Sequence, residues 1–262
     1  RYNTGLKRQG LMDKKEVLDK AKEARSCGVS RMCLGAAWRE VRDNKDFDKV
    51  IDIVKSVSGL GMEVCCTLGM LNEGQAKRLK AAGLYAYNHN IDSSPEYYSK
   101  VIGTRKFEDR IKTLNHVKKA KLSVCCGGII GMGESDKDRI KFLYTLASMN
   151  PQPDSVPINT LVAVKGTPLE KKEQVSSFDL VRMVAVARVI MPKSWVRLSA
   201  GRLSLSKEAQ ALCFLAGANS IFSGEKLLTT SNPARDYDSS LLSELGLEKL
   251  GEVINEKVSA LC

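Results

Sequence analysis

A chain of 262 residues is long enough to bury a large core, and it suits one α/β barrel or one doubly wound domain better than two small ones. No apolar run approaches the ~20 residues of a membrane span, and the opening residues lack the apolar centre of a secretory signal, so a soluble intracellular protein with no membrane partner is expected. The net charge of +11, from 41 basic against 30 acidic residues, is spread over helical stretches such as 13–25 and 106–121, where acids interleave with bases, and only 6% of residues are aromatic. That is the pattern of solvated helix faces and not of a nucleic-acid surface. Eight cysteines, mostly on apolar segments, do not make the dense disulfide framework of a small secreted domain, and they point to a reduced compartment with metal binding or catalysis for some of them.

Taken in chain order, Asp13 with Glu16 opens a helix before Val17, and Gly28 closes it. A strand is predicted over 30–35. A helix bearing Phe47, Val50, Ile51 and Val54 ends near Gly59, and strands follow over 62–68 and 84–90. Phe107, Ile111, Leu114 and Val117 have helical spacing, and the next strands cover 122–128 and 155–162. The segment 176–192 is apolar nearly all round, so it reads as a buried helix stopped by Pro192. Strands over 194–200 and 219–224 complete a series of seven. Such β-α alternation means a parallel sheet, open or closed as a (β/α)8 TIM-type barrel. Seven strands are one short of closure, and the chain begins with a loop and a helix where a barrel begins with a strand. A first strand upstream of Arg1 is therefore expected. The whole chain reads as one domain, barrel over 1–235 and a C-terminal helical extension over 236–262.

Successive strand side chains point to opposite faces. In 62–68 the apolar set is Met62, Val64, Cys66 and Leu68, against Glu63, Cys65 and Thr67. In 122–126 Leu122, Val124 and Cys126 oppose Ser123 and Cys125, and in 31–34 Met32 and Leu34 oppose Arg31 and Cys33. If the apolar sets meet the helices, Cys33, Cys65 and Cys125 face the interior, while Cys66 and Cys126 act as small core hydrophobes. The same sorting turns Trp195, Arg197 and Ser199 inward, puts Asn88, Asn90 and Asp92 on one face with His89 on the other, and sets Asn159 opposite Val156 and Ile158.

So many polar groups inside a barrel are more than packing, since each unpaired buried one costs about 1–3 kcal/mol. Three thiols and one further donor suit an iron-sulfur cluster or zinc, although their spacings of 32 and 60 residues are no local metal signature. Cys27, Cys213 and Cys262 have no such placement, and neither His89 nor His116 belongs to a ligand pair. The glycines of 127–133 form no dinucleotide fingerprint and read as positions where the backbone approaches a ligand closely.

At this point the residues resemble the biotin synthase family of radical S-adenosylmethionine enzymes. RMCLGAAW (31–38), YNHNIDSSPEYY (87–98), VCCGGIIGMGE (124–134), SVPINTLVAVKGTPL (155–169), VRLSAGR (196–202), CFLAGANSIFSGEKLLTT (213–230) and NP (232–233) stand in the family's order and spacing. The likeness covers roughly residues 1–235. It implies a sulfurtransferase that converts dethiobiotin to biotin by radical chemistry, the sulfur coming from a [2Fe-2S] cluster held by Cys33, Cys65, Cys125 and Arg197. An arginine ligand is chemically unusual, because guanidinium normally keeps the proton it must lose to offer a lone pair.

By the same resemblance Asn90 and Asp92 bind S-adenosylmethionine, with Ala36 and Ile129 lining its pocket. Asn88, Asn90 and Asn159 surround the ureido ring of dethiobiotin, and Thr229 and Thr230 meet its carboxylate. A [4Fe-4S] cluster, a reducing electron-transfer protein, a homodimer and a cytoplasmic location, or the mitochondrial matrix in a eukaryote, are the family's remaining expectations. The C-x-x-x-C-x-x-C motif for that second cluster is not among these residues. Its absence and that of the eighth strand read as one missing N-terminal part. Two alternatives stay open: a cluster- or ligand-binding barrel without catalysis, or a related radical enzyme with another substrate.

Overall fold

A computed structural model describes residues 4–5, 9–224, 226–227 and 230–249. Helices and strands alternate along the chain. In order they are α1 (Lys14–Ser26), β1 (Arg31–Gly35), α2 (Lys45–Ser58), β2 (Glu63–Thr67), α3 (Glu73–Ala81), β3 (Ala86–Asn88), α4 (Pro95–Val101), α5 (Phe107–Lys119), β4 (Ser123–Cys125) and β5 (Gly128–Ile130). Then come α6 (Asp136–Ala147), β6 (Ser155–Thr160), α7 (Ser177–Ile190), β7 (Trp195–Leu198), α8 (Lys207–Leu215), β8 (Ser220–Ile221), β9 (Lys226–Leu227), β10 (Thr230–Ser231) and α9 (Arg235–Glu244). Six of the seven predicted strands are present in shorter form, and the remaining one, 122–128, is split. The parallel α/β class follows directly from the alternation.

The chain divides into two compact units. The first is Gly10–Asn88, Asn115–Ser123 and Arg235–Cys262; the second is Arg1–Gln9, His89–Leu114 and Val124–Ala234. In the first, β1 pairs with β2 and β2 with β3, all parallel. Phe47, Val50, Ile53, Val54 and Val57 form the buried stripe of α2, with Ile53 buried where the sequence suggested Ile51. The side chain of Asn44 starts that helix by accepting from Phe47 N at 3.0 Å. A reciprocal capping box between Asn72 and Gln75 starts α3.

In the second unit β4, β6, β7 and β8 pair in succession, also in parallel, and β5 lies beside β6. Two expectations fail here. Segment 122–128 was read as one strand, but the chain breaks after Cys125 and resumes as β5, while β9 and β10 form a short antiparallel pair with no counterpart in the prediction. The helix read as wholly buried, α7, buries only Leu180, Met183, Val184 and Ala187; Phe178 and Val189 on its other side are 64% and 77% exposed. An apolar residue at every helical position carries no information about which side meets the core.

The glycines at the β4–β5 break admit the backbone of neighbouring segments. A Cβ on Gly127 would stand 1.9 Å from the carbonyl oxygen of Pro157, and one on Gly128 would stand 2.5 Å from that of Asp92. The backbone of β6 and the segment after β3 come in where a side chain would be. Gly127→Ala should therefore cost about 3 kcal/mol or more, because two strands must part. At Gly59, where a Cβ would meet nothing nearer than 3.4 Å, alanine should be tolerated; thermal melts of the two variants check the contrast.

Candidate functional site

The first unit carries the first pair of thiols. In the β1–β2 register Cys33 stands opposite Cys65 and Leu34 opposite Cys66. Residues on one rung of a parallel pair project to the same face, with the strands ~4.8 Å apart. Cys33 and Cys65 are thus neighbours on one face, and Cys66 lies on the other, as the alternation predicts. Cys33 is open to solvent, Cys65 is nearly covered, and Cys66 is fully buried. Burial, with Cys33 nearby, pushes the Cys66 thiol far up, which keeps it protonated and inert. Tyr87, on the Cys66 rung, closes that side by donating to Gly69 O at 2.6 Å and accepting from Leu68 N. Ala36, just past β1, extends the ladder by donating to Thr67 O at 3.0 Å, and Asn88 ends β3 half-buried.

In the second unit the register runs Cys125, Ser155, Trp195 along one rung, and Pro157, Arg197, Ser220 along a rung nearer the strands' C-terminal ends. Both rungs belong to one face. Val124, Val156, Ile158, Val196 and Leu198 occupy the other and are at most 2% exposed. Cys125 and Arg197 therefore share a face, and Arg197 is aimed by its Nε, which donates to Ser220 Oγ at 3.0 Å. Beside Cys125 the hydroxyl of Ser155 is buried and has no partner among the described residues. Cys126 is fully buried, and burial pushes its thiol far up. His89 is 2% exposed, and burial, with Arg110 and Arg105, lowers it from 6.5 to about 3. Cys213 is buried on α8, its thiol pushed up to about 11, and Cys27 is exposed; Cys262 lies outside the described residues.

The YNHNID segment is tied to the β4–β5 break. Asn90 Oδ1 accepts from Gly127 N at 3.1 Å, and Asp92 O accepts from Ile129 N at 2.9 Å. Asp92 holds φ at 66°, a left-handed conformation that costs a non-glycine residue about 1–3 kcal/mol and concentrates at functional sites. Its Oδ2 accepts from Arg110 Nη2 at 2.7 Å, and Arg110 Nε donates to the Tyr98 hydroxyl at 3.0 Å. Burial pushes the Asp92 carboxyl up, and Arg110 and Arg105 oppose that. Arg110 was missed in the sequence because its helix, α5, is charged along most of its length, and nothing marks one arginine among them as buried.

Asn159 is more committed than its sequence suggested. Its Nδ2 donates to Gly128 O and its Oδ1 accepts from Ala200 N, both at 2.9 Å, so it braces β5 against the end of β7 and keeps one N–H and one lone pair for anything else. Ile129 is its rung partner and is half-buried. Thr230 begins β10, whereas Thr229 lies outside the described residues. Among the described residues no three His, Cys, Asp or Glu side chains are grouped as for a metal ion. The fit to a cluster rests instead on pairs: Cys33 with Cys65, and Cys125 with Arg197 beside the unpartnered Ser155.

Residues 2–146 match the radical SAM superfamily, and residues 157–248 match the Biotin and Thiamin Synthesis associated domain. Among solved structures, methylornithine synthase shares the fold at a TM-score of 0.78 and 21% identity, over 97% of this chain and 78% of that one. A maturase of the [FeFe]-hydrogenase does so at 0.78 and 16%, over 94% and 58%. Fold and domain match together define a radical S-adenosylmethionine enzyme of the barrel class.

Within that class the chain is 62% identical over 248 residues to the biotin synthase of Cytophaga hutchinsonii, covering 95% of this chain and 74% of that one. It is 58% identical to the biotin synthase of Myxococcus xanthus, over 95% and 72%, and 56% identical to that of Nostoc sp., over 95% and 75%. The chain belongs to the biotin synthase family.

The Asp92–Arg110 pair is testable without any bound group, since both side chains are only 13–14% exposed. Breaking a buried pair from one side costs on the order of 3 kcal/mol, so Asp92→Asn should lower the urea midpoint accordingly. Adding Arg110→Met should restore part of that loss, because the stranded charge is then gone.

Proposed function

We propose that Cys33, Cys65, Cys125 and Arg197 are the ligands of a [2Fe-2S] cluster in a sulfurtransferase that inserts sulfur into dethiobiotin to form biotin. The rung shared by Cys33 and Cys65 carries this reading, because it sets two thiols of the proposed four side by side with no local sequence motif to do so. Iron-sulfur clusters and S-adenosylmethionine, which the family implies, supply the radical that takes hydrogen from an unactivated carbon and the sulfur that replaces it; the reading adds a [4Fe-4S] cluster to the [2Fe-2S] one.

The chain's own side chains bind, aim and shield. Arg197 is held by Ser220 through Nε, so its terminal nitrogens are the groups that would hold the cluster, and one of them would have to give up its proton to offer a lone pair. Lysine there would be a point charge on a flexible stem and no substitute. Asp92, pinned through Oδ2 by Arg110, offers its other oxygen to a ribose hydroxyl, with Asn90 beside it and Ala36 and Ile129 as pocket walls. The N–H and lone pair left on Asn159, with Asn88 and Asn90, suit the paired donor and acceptor groups of a ureido ring. Thr229 and Thr230 serve the substrate carboxylate. A reducing electron-transfer protein, a homodimer and a cytoplasmic setting, mitochondrial in a eukaryote, complete the proposal.

Adjacent cysteines give a sharp test. After anaerobic incubation with iron and sulfide, Cys65→Ala should lose the visible absorbance of the [2Fe-2S] cluster, whereas Cys66→Ala should keep it and lose only packing, about 1–2 kcal/mol by urea titration. Equal retention of the absorbance by both variants would remove Cys65 from the ligand set.

A further inference from the structure

One buried polar cluster in the second unit is not absorbed by the cluster or adenosylmethionine assignments. Arg202 follows β7 and is 2% exposed; its Nε donates to Gln210 Oε1 on α8 at 3.0 Å, and its Nη1 donates to Phe222 O at 3.2 Å. Asn232 is 6% exposed and uses both amide hydrogens, donating to Phe222 O at 3.0 Å and Gly224 O at 2.8 Å. Phe222 N in turn donates to Leu198 O at 3.2 Å, so its amide ties the chain to β7 as it leaves β8. Between Gly224 and Asn232 the chain forms the antiparallel pair β9–β10, with Thr230 opposite Leu227.

Asn232 thus closes the base of this hairpin from the inside, and Arg202 fixes the point to which it closes. The price is visible: Asn232 Oδ1 is buried with no partner among the described residues. A residue chosen for stability alone would not strand an acceptor. Thr230 stands two positions from that clasp.

We propose that Asn232 and Arg202 are positioning residues that hold the β9–β10 hairpin so that Thr230 meets the carboxylate of the substrate. This rests on the reading of Thr230 as a carboxylate contact and adds what sets its place. The consequence is selective: loosening the clasp should weaken the hold on a carboxylate and leave the rest of the substrate alone.

The test compares dethiobiotin with the same molecule carrying an alcohol in place of its carboxylate. Binding of each is measured by equilibrium dialysis to the anaerobically reconstituted enzyme with S-adenosylmethionine present. Asn232→Ala should weaken dethiobiotin about tenfold, with the binding of the alcohol and of S-adenosylmethionine unchanged. Arg202→Lys, which keeps one charged donor, should shift dethiobiotin in the same direction by less. Thr230→Val should match the loss in Asn232→Ala, and the double variant should lose no more than Thr230→Val alone, since both act on one contact. Equal weakening of both ligands, additive losses in the double variant, or loss of the folded state in both clasp variants would overturn the proposal by making the clasp merely structural. If the unaltered enzyme binds dethiobiotin and the alcohol equally, the carboxylate reading of Thr230 itself is wrong.

Discussion

Parallel pairing in fixed register is the constraint on which the site depends. A rung of a parallel sheet sends all its side chains to one face, and the next rung sends them to the other. Once Cys33 is opposite Cys65, the neighbouring Cys66 has no choice but to join Leu34 and Tyr87 on the far side. The same rule gathers Cys125 and Arg197, far apart in sequence, on one face across β6. A slip of one residue in either register would exchange the cysteines of one face for those of the other. Register is therefore protected by the dry valines and leucines of the opposite face, whose exposure would be the penalty for slipping.

Burial alone does not separate the members of each pair, since Cys65 and Cys125 are 2% and 0% exposed. Burial holds the Cys66 and Cys126 thiols protonated. Their partners in each adjacent pair sit on the opposite face, which Cys125 shares with Arg197 and Cys65 with the exposed Cys33. The Gly127–Gly128 break then lets Pro157 O and Asp92 O approach the backbone, which ends β4 just after Cys125 and brings the segment around Asp92 against β5. Packing fixes which of these side chains share a face.

Strand alternation was legible in the sequence because polar and apolar residues trade places every second position, and it sorted each cysteine pair without further information. Where that contrast fails, so does the reading. The helix α7 is apolar on all sides, so its exposed Phe178 and Val189 could not be told from its buried Leu180 and Met183. Arg110 is one arginine in a charged helix, and only the fold shows it turned onto Asp92. Asn159 reads as a free amide in a strand, yet half its capacity goes to backbone groups from residues 31 and 41 positions away. The clasp around Phe222 is invisible for the same reason: its acceptors are carbonyls, which every residue has.

An iron-edge anomalous difference map from crystals of the anaerobically reconstituted protein tests the ligand-face account most directly. Iron should appear within bonding distance of Cys33, Cys65, Cys125 and Arg197, with no peak near Cys66 or Cys126. An iron peak against Cys66 or Cys126, or iron bound by Cys33 and Cys65 with Arg197 turned away, would contradict it.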